Sequence, residues 1–375
     1  MHLLFHAAAA RPTKEGGGTR FISTLMHALV EVAPEDKISI CINSAVNLEL
    51  PPEVEVIPVT VGGPMQRLWF DNRTWRKIAE EHNPDVAVAL LGFGAIRPPR
   101  KTITVLTDYT YFCPNRHVGR SALERFGLRA QFLILRASAR RASRVVVPSS
   151  TMATAVQNVL GLPYQIDVVR FGWTGPIRDP EAADTYDRAR ALRLLYVSQL
   201  QPHKAHWSLP TILSGIRRQG INANLTVAIN RQDNPRLWKI FNQRIAVEGV
   251  ASSFRVLSYL SDADITALYE NADVFLFPSL CEAFGYPMVE AAAAGLPIVA
   301  ADTPTNREML GPGALYFRPN DFRAAVNHVL TLERDKDLRI AIANAAQTHL
   351  RALLPSPREF GTLFHKLLVE VAYGD

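Results

Sequence analysis

One stretch, 274–302, constrains the fold more than any other part of the chain. It reads VFLFPSLCEAFGYPMVEAAAAGLPIVAAD. Its opening VFLF is a run of β-branched and aromatic residues, which is typical of a buried strand. The residues from Tyr286 to Ala294 favour a helix that Gly295 and Pro297 end, and IVAA predicts a second buried strand. A strand–loop–helix–strand unit of this kind predicts an α/β fold.

The loop between this first strand and the helix carries candidate ligand-binding residues. Glu282 lies in the loop and Glu290 in the helix, with seven residues between them. Ala283, Phe284 and Gly285 form a tight turn at the helix N-terminus, where free backbone N–H groups and the helix dipole attract an anion. Two carboxylates beside such a turn suit a ligand with a phosphate and hydroxyl groups, such as a nucleotide sugar. Taken alone, the two glutamates also fit solvated charges at helix ends.

The composition limits which classes of protein this chain can belong to. The chain has 375 residues, enough for two domains, and its 48% hydrophobic and 20% charged content is that of an ordinary globular protein. A net charge of +6 favours anionic partners without choosing among them. Cys41, Cys113 and Cys281 lack metal-ligand spacing, and we expect free thiols in a reduced compartment. The N-terminal MHLLFHAAAARP is interpreted as a buried strand rather than a signal peptide, which predicts a cytoplasmic protein.

A glycine-rich segment follows the first predicted strand, His2 to Ala8. Gly16, Gly17 and Gly18 precede an amphipathic helical pattern. Strand, glycines and helix together let backbone N–H groups approach a phosphate. The segment is neither a P-loop nor a dinucleotide-binding motif, and a plain turn is the alternative interpretation.

A further predicted strand of the N-terminal half, Thr102 to Asp108, ends in polar residues. Ligands bind at the carboxyl ends of strands in doubly wound sheets, so we expect Thr107, Asp108 and Tyr109 to face a ligand. Asp108 is a candidate for orienting an acceptor or acting as a weak base. A helix-cap or turn role for Asp108 fits the sequence equally well.

Arginines are concentrated in the segment Arg120–Arg144, where they alternate with apolar residues. A solvated helix face is one interpretation. The other is a surface for an anionic membrane or an anionic, lipid-linked acceptor. No interleaved surface aromatics or zinc-ligand spacing accompany the arginines, so nucleic acid is not a predicted partner.

The stretch PSLCEAFGYPMVEAAAAGLPIVAAD closely resembles the donor-site segment of family 4 glycosyltransferases, which reads P-S-x-x-E-x-F-G-x-P-x-x-E-A-x-A-x-G-x-P-V. These are retaining enzymes of the GT-B fold. The resemblance implies two Rossmann-like doubly wound domains facing a cleft, and a C-terminal helix that returns to the N-terminal domain. The corresponding ranges are an acceptor-binding domain (1–174), a linker (175–191), a donor-binding domain (192–354) and the returning helix (355–375). Independently, Ser356 and Glu359 form a capping-box pattern at the start of that helix.

The resemblance also implies roles for residues of the donor site. Glu290 would accept hydrogen bonds from ribose hydroxyls, and Glu282 would bind hydroxyls of the donor sugar. Backbone N–H groups of Phe284 and Gly285 would hold sugar or phosphate, and the turn at Tyr259 would hold the base.

Charge on the leaving diphosphate would be stabilised by Lys204 and by the loop at Gly17 and Gly18. Two positions depart from the family pattern, since Thr107 replaces a histidine and Gln199 replaces an arginine.

The function implied is retaining transfer of a hexose-type sugar from a nucleotide sugar, UDP- or GDP-linked, to a glycan, lipid-linked or small-molecule acceptor. The catalytic candidates are Glu282, Lys204 and Asp108. We expect neither a metal nor a cofactor. A peripheral location at the inner face of the membrane fits the arginine-rich segment. The alternatives are a non-catalytic nucleotide-sugar-binding partner, which the two departures favour, and a GT-B epimerase.

Overall fold

Two parallel β-sheets organise the chain, one in each of two units. The computed structural model describes residues 1–10, 17–46, 48–92, 94–113 and 120–374. The first unit contains Met1–Phe112, Ala122–Thr174 and the chain from Leu354 onward. The second unit contains Cys113–Ser121 and Gly175–Leu353.

The sheet of the first unit has seven parallel strands in the order β3-β2-β1-β4-β5-β6-β7. The strands are β1 (His2–Ala7), β2 (Lys37–Asn43), β3 (Glu55–Val59), β4 (Val86–Ala89), β5 (Thr102–Val105), β6 (Arg144–Val147) and β7 (Asp167–Val168). The side chains of β4 and β5 are buried throughout, as expected for strands covered on both faces by helices. β5 ends three residues before Asp108, so the polar end of the predicted strand forms a loop.

Five helices of the first unit lie between these strands in the sequence. They are α1 (Gly17–Val32), α2 (Pro64–Trp69), α3 (Trp75–His82), α4 (Ala122–Ala139) and α5 (Ser150–Leu160). Helix α1 buries Phe21, Leu25 and Leu29 on one face, as its periodicity predicts. None of the helices in the described part of the chain combines the length and apolar character needed to cross a bilayer.

A π-helical turn, Phe70–Thr74, connects α2 to α3. One residue of this turn, Asp71, contacts a residue that lies far away in the sequence. Asp71 is buried and its Oδ1 is 2.7 Å from Nε2 of His6 in β1, while Arg67 donates to both Asp71 oxygens at 2.8 Å. A widened turn lets Asp71 reach this buried histidine.

The sheet of the second unit has six parallel strands in the order β10-β9-β8-β11-β12-β13. The strands are β8 (Leu192–Val197), β9 (Ala223–Ala228), β10 (Phe254–Leu257), β11 (Val274–Phe277), β12 (Ile298–Ala301) and β13 (Leu315–Phe317). The helices are α6 (Pro180–Ala183), α7 (Ser208–Arg218), α8 (Pro235–Val247), α9 (Asp262–Glu270), α10 (Tyr286–Ala293), α11 (Pro304–Leu310), α12 (Phe322–Arg334) and α13 (Lys336–Leu353). Each sheet places its first strand beside its fourth, which is the doubly wound, Rossmann-like order that the resemblance implies.

The last helix, α14 (Pro357–Tyr373), belongs to the first unit. Its capping box is formed as predicted, since Ser356 Oγ accepts from the backbone N–H of Glu359 and the Glu359 carboxylate accepts from that of Ser356. The helix packs closely on α1, because a Cβ on Gly361 would lie 2.6 Å from the carbonyl oxygen of Ala28. The predicted return of the chain to the N-terminal domain is confirmed.

The segment 175–191, which the sequence presents as a linker, lies within the second unit. It contains α6, and its Arg178 N–H donates to the carbonyl of Ala293 at 2.7 Å. Asp184 accepts two hydrogen bonds, each 3.0 Å long, from Arg339 of α13. Both side chains of this ion pair are nearly inaccessible, with 4% of Arg339 and 8% of Asp184 exposed.

Replacing Arg339 by methionine should destabilise the protein by about 3–5 kcal/mol, because Asp184 would be left buried and unpaired. The matched control is Lys77→Met, which breaks a pair with Glu81 whose side chains are 76% and 56% exposed. That change should cost less than about 1 kcal/mol. Urea unfolding of the three proteins measures both effects. Equal midpoints for the two variants would contradict the importance of the buried pair.

Candidate functional site

The topology of the second sheet brings two distant loops together. Strands β8 and β11 are parallel neighbours, with Val274 opposite Leu194 in the register. From β8 the chain continues to β9 on one side, and from β11 it continues to β12 on the other. The loops that leave their carboxyl ends therefore lie at the switch point, which is where doubly wound sheets bind ligands. The first of these loops carries Lys204 and the second carries Glu282.

A buried ion pair joins these two loops. Nζ of Lys204 lies 2.6 Å from each carboxylate oxygen of Glu282, across 78 positions of sequence. Only 15% of the lysine side chain and 6% of the glutamate side chain are exposed. Charge-assisted hydrogen bonds of this length, shielded from water, are strong. The structure thus brings together two of the three residues that the sequence identifies as catalytic candidates.

Buried aromatic and imidazole side chains surround the loop of Lys204. The Tyr196 hydroxyl donates to the carbonyl oxygen of Lys204 at 2.8 Å, and Ser198 Oγ lies 3.0 Å from His206 Nε2. Burial lowers the pKa of His206 to about 3 and that of His203 well below its ordinary value. Both rings are therefore neutral at neutral pH, and Lys204 supplies the positive charge of this loop.

The loop of Glu282 is fixed by side chains at the start of α11. Thr305 Oγ1 donates to the carbonyl of Glu282 at 3.0 Å, and Asn306 Nδ2 donates to the carbonyl of Ser279 at 3.2 Å. Both side chains are buried. The sequence analysis missed these two residues. A threonine and an asparagine at the start of a helix just after a buried strand are the signal that could have pointed to them.

Helix α10 begins where the sequence predicts, directly after Gly285. This glycine has φ +85°, and a Cβ at this position would collide with the side chain of Met288. The left-handed backbone favours glycine at this position, and any larger residue would also have to displace the end of the Met288 side chain. Phe284 beside it is buried, with its ring 5.0 Å from that of Tyr286. The tight turn that was predicted at this helix N-terminus is present.

Glu290 lies on α10 and is half-buried. The hydroxyl of Tyr269, on α9, donates to Glu290 Oε2 at 2.8 Å. Tyr269 is itself buried, so it fixes one oxygen of the carboxylate. Sequence reasoning missed Tyr269, whose signal is a single aromatic residue in the helical segment DADITALYE.

Tyr259 lies at the same edge of the sheet, in the turn that follows β10. Its φ of +57° is in the left-handed region, and its side chain is 70% exposed. A bulky residue in this conformation is strained and points to a constraint on the turn. Ser258 helps to fix that turn by donating to the carbonyl of Ile229 at 2.6 Å.

The first unit holds the remaining site residues of the sequence analysis. Gly17 and Gly18 are the first residues of α1 rather than part of a loop, and Gly16 lies outside the described residues. A Cβ on Gly18 would lie 3.0 Å from Leu91, just beyond β4. Asp108 is exposed, and its Oδ1 accepts from the N–H of Thr110 at 2.7 Å. Of the alternatives left open for Asp108, the structure shows the turn-capping role.

The expectation of three free thiols is wrong for two of them. Cys113 and Cys281 form a disulfide across 168 positions, which places this bond next to Glu282 in the sequence. Cys41 is free and buried, and burial raises its pKa to about 12. The sequence could not indicate the pairing, because neither cysteine lies in a recognisable spacing pattern.

Comparison with known proteins finds sequence similarity in the second unit. The family model described as "Glycosyl transferases group 1" matches residues 186–349, within the second unit. The O-antigen chain mannosyltransferase B of Escherichia coli is 33% identical over 151 residues. The O-antigen chain mannosyltransferase RfbU of Salmonella typhimurium is 28% identical over 137 residues. These matches cover 40% and 36% of this chain, and 35% and 38% of the relatives' own length.

Solved structures share the fold over the whole chain. Sucrose-phosphate synthase from Thermosynechococcus elongatus superposes with a TM-score of 0.79 at 14% identity, covering 100% of both chains. HepE of Anabaena, in complex with UDP and glucose, gives a TM-score of 0.70 at 19% identity, covering 98% of both chains. The fold is therefore that of the GT-B glycosyltransferases. The group 1 sequence match lies in the unit that carries Lys204, Glu282 and Glu290.

The disulfide between Cys113 and Cys281 predicts how many free thiols the protein contains before and after reduction. Denatured, unreduced protein should give one thiol per chain with Ellman's reagent, from Cys41, and three after reduction. The native protein should react slowly, because the Cys41 thiol is buried and stays protonated. Cys113→Ser should raise the unreduced count to two by releasing Cys281. A count of three before reduction would show that the disulfide does not form.

Proposed function

We propose that this protein is a glycosyltransferase that moves a hexose-type sugar from a nucleotide-sugar donor to a glycan, lipid-linked or small-molecule acceptor. The observation that carries the proposal is the buried Lys204–Glu282 pair at the switch point, beside the glycine-started helix that bears Glu290. The group 1 match over this unit supports it, as do relatives named as mannosyltransferases. HepE, which shares the fold, is described in complex with UDP-glucose, so UDP-sugars are the donors to test first, followed by GDP-sugars.

In this proposal each part of the nucleotide-sugar donor is bound by a particular residue of the second unit. Glu290, whose Oε2 accepts from the Tyr269 hydroxyl, also accepts hydrogen bonds from ribose hydroxyls. Glu282 accepts from hydroxyls of the donor sugar, and the backbone N–H groups of Phe284 and Gly285 face phosphate or sugar oxygens. The strained turn at Tyr259 contacts the base.

Transfer depends on charge at the leaving diphosphate. As the glycosidic bond breaks, negative charge builds on the phosphate oxygens, and Lys204 stabilises it. Electrostatic stabilisation of this kind is usually the largest single contribution to catalysis. The lysine then exchanges part of its contact with Glu282 for the phosphate, which frees carboxylate oxygens for sugar hydroxyls. Backbone N–H groups at Gly17 and Gly18 are proposed as further phosphate donors.

The stereochemistry proposed is retention, with the acceptor attacking on the face of the leaving group and the phosphate taking the acceptor proton. No side chain forms a covalent intermediate, and no metal or cofactor is proposed. Asp108 is exposed, and one of its carboxylate oxygens accepts from the N–H of Thr110. The other oxygen, Oδ2, is proposed to contact the acceptor. We assign to it the orientation of an acceptor hydroxyl.

A non-catalytic nucleotide-sugar-binding protein is the second candidate, because Thr107 and Gln199 replace a histidine and an arginine of the family pattern. The two functions differ in turnover. Incubation with a panel of UDP- and GDP-sugars and candidate acceptors, with nucleoside diphosphate release as the readout, separates them. Release that requires an acceptor supports the transferase. Tight binding without release supports the second candidate.

Helix α4 offers a surface for a membrane-held acceptor. Phe126 and Leu133 are 70% and 62% exposed and lie two turns apart on one helix face. Leu123 near the start of the helix is 80% exposed, and Arg129 lies between the two apolar residues on the exposed side. Apolar residues flanked by arginine are what an interfacial helix presents to anionic lipid. We propose that α4 contacts an anionic bilayer.

Glu290→Ala should weaken donor binding at least roughly tenfold, because charge-assisted hydrogen bonds to two ribose hydroxyls are lost. Calorimetric titration of UDP-glucose and GDP-mannose measures the change. Glu270→Ala is the matched control, since this exposed glutamate on the neighbouring helix α9 forms no side-chain hydrogen bond in the described chain.

The control should bind like the unmodified protein, and EDTA should leave both affinities unchanged if no metal takes part. If Glu290→Ala and Glu270→Ala bind the donor with equal affinity, the proposed role of Glu290 in donor binding is contradicted.

The double variant Phe126→Ser/Leu133→Ser should bind phosphatidylglycerol vesicles about tenfold or more weakly, because two large apolar side chains are lost from the interface. Co-sedimentation measures it. Val159→Ser/Leu363→Ser is the control, as both side chains are exposed (45% and 51%) on other helices of the same unit. Raising the salt should weaken binding of the unmodified protein by screening the arginines. Equal loss in both double variants would refute a specific role for α4.

A further inference from the structure

A groove on the first unit belongs to none of the sites described above. It runs between helix α5 and the segment 162–168 that leads into β7, and its volume is about 620 Å³. Ligand sites in proteins commonly have volumes of about 300–1,000 Å³. The groove is therefore large enough for a small organic ligand.

One face of α5 supplies a stripe of neutral hydrogen-bonding side chains to this groove, and the facing segment adds an amide. These residues are Ser150, Thr154, Gln157, Asn158 and Gln165. The four on α5 share a face because they are spaced four, three and one residue apart. Within the described chain, the side chains of Asn158 and Gln165 form no hydrogen bond, and both are exposed. Each amide therefore keeps its donors and its acceptor for a ligand.

The rest of the lining is apolar or aromatic. Leu162, Ile166 and Val168 lie along the segment that faces α5. Tyr164 also lines the groove, and its hydroxyl donates to the carbonyl oxygen of Ala139. This bond fixes the tyrosine ring in the wall of the groove. A fixed ring beside apolar side chains can pack against the C–H face of a sugar.

Charge distinguishes the groove from the rest of this basic chain. Among the described residues that line it, none is charged, although the chain carries a net charge of +6. Arg170 approaches from one end, where it donates to Ser150 Oγ at 3.1 Å. A ligand with many negative charges would find little compensation along the lining. A neutral ligand rich in hydroxyls would match it, because hydroxyl groups both donate and accept, as amides do.

We propose that this groove binds an uncharged oligosaccharide segment, at a site separate from the donor-binding residues of the second unit. Asn158, Gln165 and Gln157 hydrogen-bond to its hydroxyls, and Tyr164 packs against a sugar ring. Its role rests on the proposed function: it would hold part of a glycan acceptor and so favour longer acceptors. The binding itself can be tested without any transfer reaction.

The test is titration of the full chain with two neutral trisaccharides, maltotriose and mannotriose, at millimolar concentration, followed by saturation-transfer NMR. Trigalacturonate, which carries three carboxylates, is the charged probe. The variant Asn158→Ala/Gln165→Ala removes the two available amides. Asn242→Ala/Gln243→Ala is the matched control, because these amides on α8 are also exposed and form no side-chain hydrogen bond in the described chain.

Saturable binding of at least one neutral trisaccharide, weakened roughly tenfold or more by Asn158→Ala/Gln165→Ala and unchanged in the control, supports the proposal. Absence of saturable binding, equal binding by both variants, or tighter binding of trigalacturonate overturns it. Donor affinity, measured in parallel, should be the same in all three proteins. If the unmodified protein does not bind the donor, the proposed function is refuted. The result on trisaccharide binding in the groove is then still valid.

Discussion

The ion pair between Lys204 and Glu282 depends on one feature of the fold, the parallel pairing of β8 with β11. Each residue lies in the loop that leaves one of these strands, so the register of the two strands sets the distance between the charges. Burying these two charges is tolerated because the attraction between them offsets the cost of removing each from water. When a phosphate attracts Lys204, the carboxylate of Glu282 loses part of its contact with the lysine. A single exchange of partners therefore prepares both the phosphate contact and the sugar contact.

Local sequence signals predicted the elements around this pair well. The boundaries of β11, α10 and β12 follow from apolar runs and from glycine and proline, and the structure matches them within one residue. The contacts that fix the site could not be predicted. Local signals mark Tyr269, Thr305 and Asn306 as unusual residues, but they do not indicate the tertiary partners to which these side chains donate. The π-helical turn at Phe70–Thr74 has the same explanation, since its partner His6 is 65 positions from Asp71.

The first unit presents two surfaces of opposite chemical character. Helix α4 exposes large apolar side chains and arginines, while the groove beside α5 is lined by amides and hydroxyls without charge. The sequence indicated the first surface through its arginines. The second surface gave no such signal, because neutral polar residues on a helix face resemble any solvated surface. Only the position of the segment 162–168 opposite α5 turns them into a groove.

The place of α14 has a consequence for the order in which the units can form during synthesis. The first unit is discontinuous, since α1 is covered by a helix whose residues follow the whole of the second unit. On the ribosome, the second unit has all of its strands before α14 emerges. Until then the face of α1 around Ala28 has no cover, and its apolar residues are open to chaperones or to other nascent chains. The second unit can thus reach its final structure before the first, although the first begins the chain.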